Sequence, residues 1–233
     1  MSKSTDSLPD WERLLSAASR LQSILPNSVL VGGTAAAIHV GHRLSYDADH
    51  VLTDLSDSFD DVLAQLESVA GWSTARIRRP VQILGNLDGI ETGVRQLIRD
   101  KPLETVVLDY NGKRVTVPTE PEILRIKGVL ILRRNATRDY LDFVALADHM
   151  GDERVALALR SFDELYRQEN GESPLQQLQI QLANPLPYDL EAVNLSEYKN
   201  LVQQWQDWDK VKSVCSHLSI VIFDRVSELR ETE

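Results

Sequence analysis

Two carboxylates one residue apart, Asp47 and Asp49, lie at the start of a segment that reads as a short strand over residues 48–53. Alternate side chains of a strand share a face, so this spacing predicts that both acids point the same way while Ala48 points the other; their Cα atoms would lie about 6.5 Å apart. Oxygen pairs so placed suit hard divalent cations such as Mg2+, which keep several waters and bind through one or two carboxylates plus substrate phosphates. Upstream, Val29-Leu30-Val31 runs into Gly32-Gly33-Thr34-Ala35. Glycine lets backbone approach a phosphate closely, and the N–H groups that open the following helix attract anions. A phosphate cradle followed by an acid pair is an order that suits nucleotide chemistry, with Ser45 adding a hydroxyl and Arg43 a balancing charge.

Two further charged residues interrupt apolar surroundings. Lys127 lies one helical turn from Ile123, Leu124, Leu130 and Ile131, and Asp142 sits within Tyr140-Leu141 and Phe143-Val144-Ala145-Leu146-Ala147. A charge in such a setting must be paired or must reach a polar site. Two readings follow from the residues: an ion pair, Lys127–Asp142 or Arg138–Asp142, that locks two helices, or a pair of active-site groups.

Helical periodicity marks residues 9–24, and Pro26-Asn27 ends that helix. A strand at 28–31, a helix at 34–41 and the strand at 48–53 then surround the glycines and acids, and residues 57–69 form another helix capped by Ser56 or Asp57. Short β segments occupy residues 72–117, with Asn111-Gly112 as the hairpin turn between Thr105–Tyr110 and a strand over 114–117. Thr119 with Glu122 has the form of a capping box. From there the pattern is helical apart from an irregular stretch around Asn184-Pro185-Leu186-Pro187. Trp205 and Trp208, with Val202, Val211 and Val214, read as the stripe of a C-terminal helix that packs in the core or against a partner.

Gly32-Gly33-Thr34-Ala35, Arg43-Leu44-Ser45-Tyr46-Asp47-Ala48-Asp49, Lys127 and Arg138-Asp139-Tyr140-Leu141-Asp142 follow one another in the order of the AbiEii/AbiGii toxin family. Over residues 28–148 the chain thus resembles that family, within the DNA polymerase beta-like nucleotidyltransferases. The resemblance implies an α+β fold: a mixed sheet with helices in residues 1–118, then a helical part, 119–233, that completes the active-site cleft. It further implies Mg2+-dependent transfer of a nucleoside monophosphate from a nucleoside triphosphate to an RNA, such as tRNA, or to a protein, and an antitoxin as a possible partner. Asp47 and Asp49 would hold metal; Gly32, Gly33, Thr34, Arg43, Ser45 and Lys127 would contact the nucleotide; Asp142 would orient Lys127 or a metal-bound group. Transferases of this kind use a third carboxylate on a neighbouring strand. Residues 81–85 contain no acid, which leaves Asp88 and Asp109 as candidates, each also suited to a turn. A catalytically weak or inactive nucleotide-binding or interaction protein is the alternative.

The 233 residues are 42% hydrophobic and 26% charged, enough for a sizeable core, and the net charge of −10 argues against nonspecific coating of nucleic acid. Positive residues nevertheless cluster at Arg76, Arg78 and Arg79 and at Arg125, Lys127, Arg133, Arg134 and Arg138, where they could hold a triphosphate or a short RNA. No apolar run reaches the roughly 18 residues that span a bilayer, and Met1–Asp6 lacks a signal-peptide core, so a cytoplasmic protein is expected. The lone Cys215 excludes an internal disulfide and reads as a buried helix residue. His39, His42 and His50 form no zinc spacing, and His50 should face away from the acid pair.

Overall fold

The structure, a computed structural model, describes residues 10–99 and 101–226. The expected helix start at Pro9 and the reading of Met1–Asp6 lie outside them. The chain divides into two compact units, one formed by residues up to Ala35 with Ser45–Pro118, the other by Ala36–Leu44 with the chain from Thr119 onward.

The first unit holds α1 (Asp10–Ile24), β1 (Val29–Leu30), the start of α2 (Gly32–Val40), β2 (Ala48–Leu52), α3 (Leu55–Glu67), β3 (Trp72–Arg78), β4 (Gln82–Leu87), β5 (Ile90–Gln96), β6 (Thr105–Tyr110) and β7 (Lys113–Pro118). Five strands make one sheet in the order β1-β2-β5-β4-β3, and β6 and β7 pair as a separate hairpin. Among the described residues only β2 and β5 run parallel; the other pairs are antiparallel. A parallel pair needs a crossover, which α3, β3 and β4 supply.

The alternation along each strand assigns its faces. Leu52, Ile83, Leu87 and Val94 pack under Leu21 of α1, Leu25 just after it, and Leu55, Phe59, Val62 and Leu66 of α3. Each such side chain withdrawn from water contributes about 1.5–3 kcal/mol, so this layer holds the sheet in register. The odd-numbered residues of β2 and β5 and the even-numbered residues of β4 therefore occupy the opposite face. The hairpin turns at Asn111 and Gly112, both at positive φ, as their types predict. Two caps differ from expectation. The residue preceding α3 is Asp54 rather than Ser56 or Asp57, and the expected box does not form: Thr119 makes no side-chain cap and the Glu122 carboxylate accepts from Arg125.

The second unit holds the end of α2 with α4 (Glu120–Arg134), α5 (Thr137–Met150), α6 (Asp152–Leu159), α7 (Phe162–Leu165), α8 (Pro174–Ala183) and α9 (Trp208–Val221). Gly128 sits where a Cβ would come within 3.0 Å of Leu178 and 3.1 Å of Phe162, so its missing side chain sets the approach of α4 to α8. The irregular stretch is longer than the proline pair suggests, with three single 3₁₀ turns between Leu190 and Trp205. Trp205 and Trp208 consequently do not share one helix stripe. Trp205 is buried in the last of those turns, Asp207 caps α9, and Trp208 opens the helix with its ring edge-on to Tyr140 at 6.0 Å.

Candidate functional site

In the first unit the glycine turn and the acid pair meet. Gly32 has φ +75°, a left-handed value that L side chains disfavour, and α2 starts there, two residues earlier than periodicity suggests. A Cβ built on Gly32 would lie 3.7 Å from Asp49 Cβ and 3.8 Å from Asp49 Oδ2, so the turn's backbone faces that carboxylate directly. Two hydrogen bonds fix the approach. Val31 N–H donates to the Asp49 carbonyl at 2.8 Å, and the buried Thr34 hydroxyl donates to the Asp47 carbonyl at 2.6 Å. Thr34 thereby positions the acid segment through its hydroxyl, and only its N–H remains suited to a phosphate. The first N–H groups of any helix have no intrahelical partner, which leaves those of Gly33 and Thr34 pointing from the turn.

Asp47 lies just before β2, not on it, because the strand begins at Ala48. The alternation still holds: Ala48 and His50 are buried, whereas Asp47 and Asp49 are partly open. His50 faces away from the acids, as expected, and burial pushes its imidazole down to about 4 despite a hydrogen bond to the Ala48 carbonyl. Ser45 is half-buried in the segment that leads to Asp47.

Neither expected third acid reaches this face. Asp88 sits in the β4–β5 turn at φ +54° and pairs with Arg20, and Asp109 accepts a hydrogen bond from Gly112 N–H inside the separate hairpin. The register indicates another residue. Ala48 pairs with Thr92 and Asp49 with Gly93 on the parallel neighbour β5; one step back along both segments come Asp47 and Glu91. Glu91 is exposed and shares the face of Gly93 and Arg95. Its signal was present in Ile90-Glu91-Thr92, an acid between two buried-type residues, but strand order was needed to recognise it.

On the same face Arg95 Nη2 stands 3.7 Å from Asp49 Oδ1, both side chains partly exposed. Among the described residues no three of Asp, Glu, His and Cys converge to enclose a metal ion. Two partly exposed carboxylates next to the glycine turn nevertheless fit Mg2+, whose remaining positions are filled by water and substrate oxygens. Asp47 and Asp49 are the residues that would hold it.

Arg43, Lys127 and Asp142, the remaining expected site residues, come together in the second unit. Asp142 is fully buried and accepts from Arg43 Nε at 2.7 Å, Arg43 Nη2 at 3.0 Å and His42 Nε2 at 2.7 Å, with Lys127 Nζ at 2.6 Å. Lys127 also stands 3.5 Å from Asp139, which Arg134 grips with two further donors. Burial alone would raise the Asp142 pKa; Arg43 first, then Lys127 and His42, hold it well below the usual carboxylate range. Burial would likewise lower Arg43, but Asp142 outweighs it and raises its pKa. Lys127 is 1% exposed and Arg43 8%. Both cations ion-pair with the buried Asp142 carboxylate. The expected Arg138–Asp142 alternative yields to Lys127 and Arg43.

No protein-family model matches the chain. Among solved structures it resembles a nucleotidyltransferase candidate from H. pylori, with TM-score 0.58 and 18% identity over 98% of this chain and 99% of that one. JHP933 from Helicobacter pylori superposes with TM-score 0.54 and 16% identity, covering 100% of this chain and 97% of that one. The antibiotic-resistance factor ANT(2'')-Ia does so at TM-score 0.50 and 12% identity over 67% of this chain and 94% of its own. The fold is that of nucleotidyltransferases, α+β with a mixed sheet. In sequence, 129 residues are 34% identical to the mycolic acid-containing lipids exporter MmpL11 of Mycolicibacterium smegmatis and 33% identical to the heme uptake protein MmpL11 of Mycobacterium tuberculosis; each match covers 54% of this chain and 13% of that protein. The chain thus spans about an eighth of the length of these curated relatives. No helix among the described residues is long and apolar enough to cross a membrane.

Proposed function

We propose that the protein is a nucleotidyltransferase that moves a nucleoside monophosphate from a nucleoside triphosphate to an acceptor, with Mg2+ held by Asp47 and Asp49. The observation that carries this reading is the approach of the Gly32 turn to the Asp49 side chain, close enough that a Cβ on Gly32 would touch it. In such a transfer an acceptor hydroxyl oxygen bonds to the α-phosphorus, the bond from that phosphorus to the bridging oxygen breaks, and pyrophosphate leaves. Catalysis of this kind rests on positioning and charge stabilisation. The Gly33 and Thr34 N–H groups hold the β- and γ-phosphates, Ser45 supplies a hydroxyl beside them, and Glu91 is placed to accept the acceptor's proton. Bound metal would supply charge neutralisation at the phosphate oxygens. Asp142, Lys127 and Arg43 act as positioning residues that fix their own unit. The acceptor is an RNA, tRNA included, or a protein; the sequence resemblance to toxins makes an antitoxin partner part of the same proposal.

The test is Mg2+-dependent incorporation of label from α-labelled nucleoside triphosphates into a cellular RNA and protein pool. Loss of incorporation in Asp49→Asn supports the reading; equal incorporation by parent and variant contradicts it. The Arg95–Asp49 contact favours a second reading, a nucleotide-binding protein without turnover, in which Arg95 takes the place of a cation. Mg2+-dependent triphosphate binding with no transfer into any pool would select it.

A further inference from the structure

The strand register carries the acid face outward in one direction. From Asp49 a row crosses Gly93 of β5 and Leu84 of β4 to Arg76 of β3; the adjacent row runs from Val51 through Arg95 and Gln82 to Arg78. A bulge at Ala75 restores the parity that puts Arg76 and Arg78 on this face together. Both are exposed, neither makes an ion pair among the described residues, and Trp72–Pro80 contains no acid. Arg79 differs, since it pairs with Asp60 and lies over the Phe59 ring at 4.9 Å. A chain with net charge −10 thus leaves unpaired guanidinium groups on the open edge strand of its acid-bearing sheet.

Their position separates them from the triphosphate. The Gly32 turn follows β1, on one side of Asp49, whereas β3 lies three strands away on the other, about 14 Å at ordinary strand spacing. In-line displacement brings the attacking oxygen from the side opposite the departing pyrophosphate. Building on the transferase reading above, we propose that Arg76 and Arg78, with Arg95 nearer the acids, bind the phosphates of a single-stranded nucleic acid acceptor and direct its end toward Asp49. Guanidinium groups pair with phosphate oxygens in two-pronged fashion and read no base, so binding is sequence-tolerant and salt-dependent.

The experiment is fluorescence anisotropy of a labelled single-stranded RNA of about 12 nucleotides, titrated with the full chain across a range of salt concentrations and without triphosphate. Arg76→Gln/Arg78→Gln should weaken binding about tenfold and make the slope of log affinity against log salt shallower by about 1.4, two phosphate contacts' worth for a single strand. Lys113→Gln/Arg114→Gln removes the same charge from the separate hairpin and should leave both quantities near the parent's. Mg2+–triphosphate binding, measured by calorimetry on the same samples, should be unchanged in the Arg76/Arg78 variant, which also shows that it is folded. Parent-like RNA affinity in that variant overturns the strand proposal and leaves the transferase reading intact, as does an equal loss from the hairpin control. A parent that binds RNA through Arg76 and Arg78 but never binds Mg2+–triphosphate overturns the transferase reading instead.

Discussion

Asp142→Asn should destabilise the protein far more than Lys127→Met, although the two side chains are 2.6 Å apart. The carboxylate collects donors from Arg43, His42 and Lys127 at zero exposure, so an amide in its place turns N–H groups toward cations, takes from buried Arg43 its carboxylate partner and leaves Lys127 only the longer 3.5 Å contact with Asp139. Removing one partner of a buried ion pair costs about 3–5 kcal/mol. Lys127→Met keeps Asp142 on the Arg43 fork and places an apolar chain in an apolar stripe, so the loss should be about 1–3 kcal/mol, that of one charged hydrogen bond. With a urea slope of about 2 kcal/mol/M, the midpoint should fall by about 1.5–2.5 M for Asp142→Asn and by about 0.5–1.5 M for Lys127→Met. Urea unfolding with hydrogen exchange read on α4 and α5 provides the assay, because those helices carry both residues. In the double variant the second substitution should cost less than it does alone, since the partners share one network. A midpoint for Asp142→Asn within about 0.5 M of the parent would refute the reasoning.

Four other outcomes follow from buried groups and from the turn. His50 has a folded pKa of about 4 against an ordinary 6.5, so between those values the unfolded chain binds the extra proton; stability should fall as pH drops from 6.5 to 4, by about 3 kcal/mol in all, and His50→Gln should flatten that slope in urea titrations at stepped pH. Asp142 acts in the same direction at lower pH: its depressed pKa adds stability that is complete above the ordinary carboxylate pKa of 3.8 and disappears at more acidic pH, which acid unfolding of parent and Asp142→Asn would separate. Gly32→Ala places a methyl in ordinary contact with Asp49 at a left-handed backbone position; about 1–2 kcal/mol of stability should be lost, and triphosphate affinity measured by calorimetry should fall by more than Asn200→Ala, another positive-φ substitution, produces. Cys215 is buried and its thiol is pushed up to about 12, so a thiol reagent at neutral pH should label it only at the rate of unfolding, and labelling accelerated by urea alone would bear this out.

Most of what local chemistry controls was readable from the residues. The Asn111-Gly112 turn, the alternation around Asp49 and the inward direction of His50 depend on neighbours a few positions apart, and the structure reproduces them. Long-range pairing was less readable. Chain order points from β2 to the acid-free β4 and so hides Glu91, because β2 pairs with β5 across an intervening helix and hairpin. The same topology splits the Arg76, Arg78 and Arg79 cluster and brings Arg95 into the row of Arg78, beside that of Arg76. Lys127 and Asp142 were recognisable as charges in need of partners, but their periodicity could not name Arg43 and His42, a hundred residues away along the chain. Thr119 and Glu122 had capping-box spacing and did not form it; the Glu122 carboxylate accepts from Arg125, one turn further along α4.

The most direct test of the central claim is a crystal structure of the full chain with Mg2+ and a non-hydrolysable nucleoside triphosphate analogue. The account predicts triphosphate oxygens on the Gly33 and Thr34 N–H groups and one metal shared between them and the Asp47 and Asp49 carboxylates, with Arg95 displaced from Asp49. A triphosphate bound elsewhere, or one seated at the turn while Arg95 stays on Asp49 and no metal touches either acid, would contradict it.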